Sequence, residues 1–468
     1  MTFDERLRLR AKRQGCPVPE GFDARLETLL ENLPEQRKGR RPLGRSFLIA
    51  AALCAALAVT VFAASPGLRE ALDQFLGSSL PYAQEIESAT RDQGIEMKVV
   101  RALVDDYQAK VYVEVRDLTD GRLTSGNVEL EASICRKALG ESSVASGGCR
   151  LVSYDDAADT ALFEVTYEST VPAEEEMVFL ARGLRPELYR LPNAGDGGTP
   201  LPAERVTGET LKSRSLDDGT LVLEPGQTVA ELPGAMGISL SSMGFASDGY
   251  LHFLFRLPEG AQPEETHLLT TVRSKAAHAA GEINGDTVYN TAFTGGIGFL
   301  ADGVPYYDFG IQGATPADLS DLSLDPVGGI LVLADRIQGS WEISFAVEKV
   351  PSRAVALSDT LDRPGMKLKS VTLSAISVWV EGDTTYEGRA TLSGQRMTLF
   401  LADGAAVPLG ESLGGSMWEH TGGDSGHFTT GWDCPQSIDP DQVAGVAIGL
   451  RYLPLDGSPG SWLSELPE

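Results

Sequence analysis

Residues 110–116 read KVYVEVR, with Val111, Val113 and Val115 alternating with Lys110, Tyr112, Glu114 and Arg116. A period of two sends successive side chains to opposite faces of an extended chain. An apolar set facing a polar set marks a strand buried on one side. The same period returns in Ala161, Phe163, Val165 and Tyr167, in Leu251, Phe253, Phe255 and Leu257, and in Trp341, Ile343, Phe345 and Val347. Repeated at this density, with 51 Gly and 26 Pro and few long helical periods, the pattern predicts several β-sandwich modules joined by turns.

A short echo places the modules. Gly94-Ile95-Glu96-Met97, Gly237-Ile238-Ser239-Leu240 and Gly365-Met366-Lys367-Leu368 share the order glycine, apolar, polar, apolar, at offsets of 143 and 128 residues. With Gly/Pro-rich breaks near 191–202 and 359–364, the expected borders are 65–200, 201–358 and 359–468.

Upstream of the β pattern, residues 46–64 (SFLIAAALCAALAVTVFAA) carry no charge. As a helix they would be about 28 Å long at 1.5 Å per residue, close to the ~30 Å core of a bilayer. Arg37, Lys38, Arg40, Arg41 and Arg45 precede the stretch, which predicts a transmembrane helix with its N-terminal side in the cytoplasm. A cleaved signal peptide is the rival, but its charged leader would run 45 residues. The expected localisation is therefore the cell membrane, with the lipid bilayer as a partner and the C-terminal bulk outside.

The net charge of −27 divides unevenly. Residues 1–45 hold 11 Lys+Arg against 7 Asp+Glu, whereas the chain after residue 64 holds 28 against 59. A surface this acidic repels nucleic acid, so none is expected as a partner. In the basic tail, Phe22, Leu26, Leu29, Leu30 and Leu33 form one apolar stripe between Pro19 and Pro34. Forty-five residues cannot bury that stripe in a core of their own. With Asp23, Glu27 and Glu31 on its polar side, the helix suits a protein partner better than a lipid surface.

Five cysteines are too few for a disulfide scaffold. Cys135 and Cys149 flank a Gly/Ser-rich stretch and a bond between them is left open. Chemistry is hard to find. Lys275-Ala276-Ala277-His278 and Gly423-Asp424-Ser425-Gly426 superficially resemble the His and Ser segments of trypsin-like proteases, but they fall in separate modules and lack an orienting acid. Trp418, His420, His427, Asp433 and Cys434 crowd one region without the spacing zinc requires. Gly295-Gly296-Ile297-Gly298 lacks the helix and later acid of a nucleotide loop. Asp105-Asp106 and Glu174–Glu176 do not match a calcium loop. His252, mid-strand and opposite the apolar set, reads as a solvated or cross-strand residue. No cofactor or metal is expected, and no enzymatic activity.

The phrases VPEGFDARLETLLENLPEQRKGRR (18–41) and SATRDQGIEMKVVRALVDDYQAKVYVEV (88–115), with the apolar segment and a short helix at Leu68–Leu76 between them, resemble the DUF4179 family of bacterial membrane proteins. GSWEISFAV (339–347) is similar to the closing strand of that family's β modules. GMKLKSVTLSAISVWVEG (365–382) and IDPDQVAGVAIGLRYLPL (438–455) resemble the immunoglobulin-like domain that often follows. The resemblance implies a negative effector of extracytoplasmic-function sigma factors and carries over no catalytic residue.

The expected fold class is thus mostly β. It comprises tandem immunoglobulin-like β-sandwich modules outside the cell, one transmembrane α-helix over 46–64, and a short α-helical cytoplasmic tail over 1–45. The expected function is a single-pass regulator whose tail holds a cytoplasmic sigma factor through Phe22, Leu26, Leu29, Leu30 and Leu33, and whose exterior senses an unknown ligand or envelope component. The alternative is a surface-displayed binding or adhesion protein with the tail as anchor only.

Overall fold

A computed structural model describes residues 66–466, except 120, 124–125, 141–146, 173–175, 193–200, 233, 276–295, 364, 386–391, 393, 414–416 and 423–424. Helix α1 (Pro66–Leu76) opens the described chain. The first module then forms β1 (Gln84–Asp92), β2 (Ile95–Val104), β3 (Gln108–Asp117), β4 (Glu129–Arg136), β5 (Cys149–Asp155), β6 (Thr160–Glu168) and β7 (Glu176–Arg185). The second comprises β8 (Leu188–Leu191), β9 (Ser213–Ser215), β10 (Leu221–Leu223), β11 (Ala230–Glu231), β12 (Ser239–Phe245), β13 (Leu251–Arg256), β14 (His267–Leu269), β15 (Val272–Ser274), β16 (Ile297–Ala301), β17 (Val304–Ile311), β18 (Leu322–Leu324) and β19 (Gly328–Val332). After β20 (Ile337–Ala346), the third comprises β21 (Ser352–Asp359), β22 (Met366–Ser374), β23 (Ser377–Thr385), β24 (Arg396–Leu401), β25 (Ala406–Glu411), β26 (Met417–Gly422), β27 (Ser425–Asp433), β28 (Val443–Ile448), β29 (Arg451–Pro454) and β30 (Ser461–Trp462).

Each module contains an antiparallel five-stranded sheet built in one common strand order. The three run β1-β2-β3-β6-β5, β11-β12-β13-β17-β16 and β21-β22-β23-β27-β26. Three consecutive strands are followed by a later hairpin whose second strand pairs with the third. The intervening chain crosses to a facing sheet, β20-β7-β4, β14-β19-β8 or β25-β24-β28-β29-β30. Apolar side chains from both sheets close each core: Val111, Phe163, Phe179 and Trp341 in the first, Phe253, Phe255, Phe309 and Leu331 in the second, Val371, Val378, Leu399 and Trp432 in the third.

The echoing glycines occupy one structural place. Gly94, Gly237 and Gly365 each stand just before the second strand of their sheet, with φ of 73°, 82° and 77°. Glycine, lacking a Cβ, adopts that backbone at no steric cost. Between β1 and β2 the turn is two residues, Gln93 and Gly94, both at positive φ, the geometry that suits the twist of paired strands.

The module borders differ from those expected. The second module is inserted into the first: β20 leaves it and pairs with β7, restoring Trp341, Ile343 and Phe345 to the first core. Entry and exit lie side by side, because β8 pairs with β19 (Leu191 opposite Gly329) and Leu333 N–H donates to Glu187 O at 3.0 Å. The insert thus spans about 188–333, and the third module begins at β21 rather than at 359. Local alternation cannot reveal which sheet a strand joins, since every strand carries the same period.

The membrane-anchored architecture is corrected. Residues 46–64 and the tail stripe Phe22, Leu26, Leu29, Leu30 and Leu33 lie outside the described residues. Among those described, no helix is long and apolar enough to cross a membrane. Helix α1 has 11 residues, about 16 Å of rise, and carries Arg69, Glu70 and Asp73. The transmembrane helix and the membrane localisation are therefore withdrawn, while the mostly β, sandwich-like body stands.

Candidate functional site

Helix α1 has no need of a membrane to bury its apolar side. Leu68, Leu72 and Leu76 pack on Val100, Leu103, Tyr112 and Leu162 of the first module's outer sheet face, and the cluster is completed by Val350, Ala375 and Ile376 next to and within the third. The predicted solvent faces of β3 and β6, with the adjoining face of β2, are consequently covered in part. The β22–β23 turn meets the β2–β3 turn at the same place, and the two modules are joined there by polar groups.

Asp105, 1% exposed, lies at the centre of that junction. Its Oδ1 accepts the N–H groups of Tyr107 (2.9 Å) and Gln108 (2.8 Å), the arrangement of an Asp that begins a tight turn. Its Oδ2 accepts the hydroxyls of Ser374, at 2.7 Å, and Ser377, both from the third module. Burial pushes the Asp105 carboxyl above the ordinary range against the pull of these four donors. Two residues along, Tyr107 stacks on Trp379 with ring centres 5.4 Å apart and donates its hydroxyl to Glu381 Oε1 at 2.6 Å. Trp379 lies flat because its cross-strand neighbour is Gly431, where a Cβ would stand 2.7 Å from the indole. Lys349 pairs with Asp106 at 2.7 Å beside this contact.

A cleft of about 270 Å³ opens where α1, the first module and the third meet. Phe75 and Leu76 from the end of α1, Leu103 and Ile376 supply its apolar wall. Its polar wall is two ion pairs. Lys110 Nζ stands 2.8 Å from Asp433 Oδ1, which also accepts Gln108 Nε2 at 3.1 Å. Arg150 Nε donates to Glu164 Oε1 at 2.7 Å, and Tyr112 Oη donates to Glu164 Oε2 at 2.8 Å. The Arg150 guanidinium lies 5.1 Å from the Phe75 ring centre, within cation–π range. Burial, then the neighbouring Glu164, drives the Tyr112 hydroxyl far above its usual value, so it remains a donor. Burial and the neighbouring Asp433 push the Cys434 thiol up to about 12, which leaves it protonated and a poor nucleophile. Two cations, two carboxylates and an apolar wall suit recognition of a small amphiphilic molecule.

The other sequence candidates fall elsewhere. Cys135 and Cys149 are not bonded to each other. Cys135 faces outward from β4 with Val178 and Leu180, whereas Cys149 on β5 packs against the first core, so one sheet separates the two side chains. His427 Nδ1 stands 3.5 Å from Asp383 Oδ1, and Asp433 and Cys434 line the cleft; the side chains of Trp418 and His420 lie outside the described set. Among the described residues, no group of three His, Cys, Asp or Glu side chains is placed to hold a metal ion. His278 and residues 423–424 lie outside the described residues. His252 is not solvated but 2% exposed, between two carboxylates. The cleft residues Phe75, Lys110, Tyr112, Arg150 and Glu164 carry no local motif. The sequence signals near this junction are the paired acids Asp105-Asp106 and the Asp433-Cys434 pair, and neither shows in sequence which groups it meets.

No family model matches the chain, and no curated protein matches it. Among solved structures it is similar to a conserved domain protein from Bacillus anthracis, at 7% identity and a TM-score of 0.35, over 80% of this chain and 78% of that one. A likeness of that size carries no argument.

Proposed function

We propose that the protein is a ligand-responsive regulator, in which the cleft between the first and third modules receives a small amphiphilic ligand and the N-terminal segment docks a partner protein. The observation that carries this reading is the make-up of the cleft wall. Phe75 and Leu76 belong to α1, the element that follows the N-terminal segment in the chain, so a ligand seated there bears on how α1 is held. The stripe Phe22, Leu26, Leu29, Leu30 and Leu33 supports the second half of the reading, and the DUF4179 resemblance supports a sigma factor as the partner.

The test is a pull-down with the full chain against the sigma factors of its host, using the wild type, Leu26→Asp/Leu30→Asp, and the cleft-filling Cys434→Trp. Recovery of a sigma factor by the wild type, its loss in the double variant and an altered yield with Cys434→Trp are expected. Equal recovery by wild type and double variant would remove the docking stripe. Recovery indifferent to Cys434→Trp would uncouple the cleft. A chain whose ligand binding persists after the tail is replaced by an unrelated segment, with no sigma factor recovered by any form, would favour the plain binding protein.

A further inference from the structure

The outer face of the second module's five-stranded sheet is closed by a small hairpin. Strands β9 and β10 pair over Leu221–Ser215 to Leu223–Ser213 and lie on an apolar patch made with Leu254, Phe299 and Tyr306. Neither strand pairs with the larger sheet. Part of what ties the hairpin down is polar. Leu223 N–H donates to Asp308 Oδ2 at 3.0 Å, and the other oxygen of that carboxylate stands 2.7 Å from His252 Nδ1. His252 Nε2 in turn stands 3.0 Å from Asp248 Oδ2. The ring and Asp308 are almost fully enclosed, with side-chain exposures of 3% and 2%.

An imidazole with a carboxylate on each nitrogen satisfies both only when both nitrogens carry hydrogen. Neutral imidazole has one N–H, so loss of the proton sets a lone pair against a carboxylate oxygen in an enclosed site. We propose that Asp248, His252 and Asp308 form a proton-controlled latch, which holds the β9–β10 hairpin over its apolar patch while the ring is charged and releases it when the proton leaves. What release uncovers is an apolar surface with Leu254, Phe299 and Tyr306 at its centre.

The charged groups around the ring are few. Asp308 comes from β17, Asp248 from the turn after β12, and β12 itself presents Gly244 opposite the ring. The hairpin brings Arg214, whose guanidinium lies 5.5 Å from the Phe299 ring centre, with Lys212 and Glu224 at its base and Asp217 and Asp218 at its tip. On β13, Arg256 is exposed at the far end. Burial works against charge on His252, but the two carboxylates outweigh it and raise its pKa above the ordinary value. Burial also pushes Asp308 up, against His252 and the Leu223 N–H, as expected when one proton is held between Nδ1 and Oδ1. The sign follows: with the folded value above the unfolded one of about 6.5, the latch is fully formed below that pH and is lost as pH rises through the folded value.

Hydrogen exchange of residues 213–223 in the full chain between pH 6 and 9, corrected for the intrinsic pH dependence of amide exchange, tests the latch, together with NMR titration of His252. In the wild type, protection of the Leu223 amide should fall at least about tenfold across the His252 midpoint, which lies above 6.5. Binding of an apolar fluorescent dye should rise over the same range. Asp248→Asn, altering a partly exposed side chain, should move the midpoint down by about one pH unit. His252→Gln should give a pH-independent hairpin. A midpoint below 6.5, no titration by pH 9, or titration with unchanged Leu223 protection would each overturn the proposal.

Discussion

Single residues decide how firmly this molecule is joined. Asp105 accepts four donors from two modules. Asp105→Ala leaves two hydroxyls and two N–H groups without their acceptor and should cost about 2–4 kcal/mol by chemical denaturation. Asp105→Asn, which keeps one carbonyl oxygen, should cost less. In the third module Arg451 bonds Asp359 through Nη2 at 2.7 Å. Burial pushes Asp359 up, but the guanidinium and nearby N–H groups outweigh it and hold its pKa below the ordinary range. Stability from this pair is therefore present above about pH 4 and is lost as pH falls through the depressed value. Acid titration of stability should show this component in the wild type and lack it in Asp359→Asn; identical acid limbs would contradict the sign.

Elements carry the couplings between modules. Helix α1 buries Leu68, Leu72 and Leu76 against both the first module and the β22–β23 turn, so Leu72→Ala should destabilise by about 2–4 kcal/mol and speed proteolysis at 66–82. Strand β27 acts through what it lacks: Gly431→Ala would put a methyl into the Trp379 indole and lift it from Tyr107. A cost of about 1–3 kcal/mol is expected, with altered Trp379 fluorescence. Unchanged fluorescence and stability would show that the stack is not held by the bare backbone beneath it. The alternating segments themselves were readable as strands, β20 most cleanly: Trp341, Ile343 and Phe345 are buried and Glu342, Ser344 and Ala346 exposed. In β3, β6 and β13 part of the second set is buried too, including Tyr112, Leu162, Glu164, His252 and Leu254, because α1 and the β9–β10 hairpin lie over that face. A strand's own residues cannot show what a distant element lays over it.

At the scale of the molecule, the insertion predicts separable folding. The second module has its own core, and its ends meet across β8 and β19. Residues 186–335 expressed alone should melt cooperatively. The remainder, with a short turn joining 186 to 335, should keep the β7–β20 pairing and the Trp341 contact to Ile95 O, 3.1 Å in the intact chain. A remainder that fails to fold, although the excised module folds, would mean that the insert holds β7 and β20 together. Arg185 sits at this crossing, bonded to Glu129 at 3.2 Å and to Glu265 of the insert at 2.9 Å. Arg185→Ala should loosen the insert, raising its solution radius of gyration more than it lowers the melting temperature.

The amino-acid order alone determined the strand character, the presence of three repeating units and the glycines that turn into the second strand of each, because period and positive φ are local constraints. It also determined a strongly acidic body, since charge is counted without a fold. Only the tertiary structure decided that β20 returns to the first module, that one sheet separates the side chains of Cys135 and Cys149, and that Asp105, Tyr107 and Trp379 gather at one junction with Asp433 beside it. Those relations join residues as far as 325 positions apart in the chain. Which of many equally alternating strands will pair is settled by the packing of whole sheets, and no short stretch of sequence contains that information.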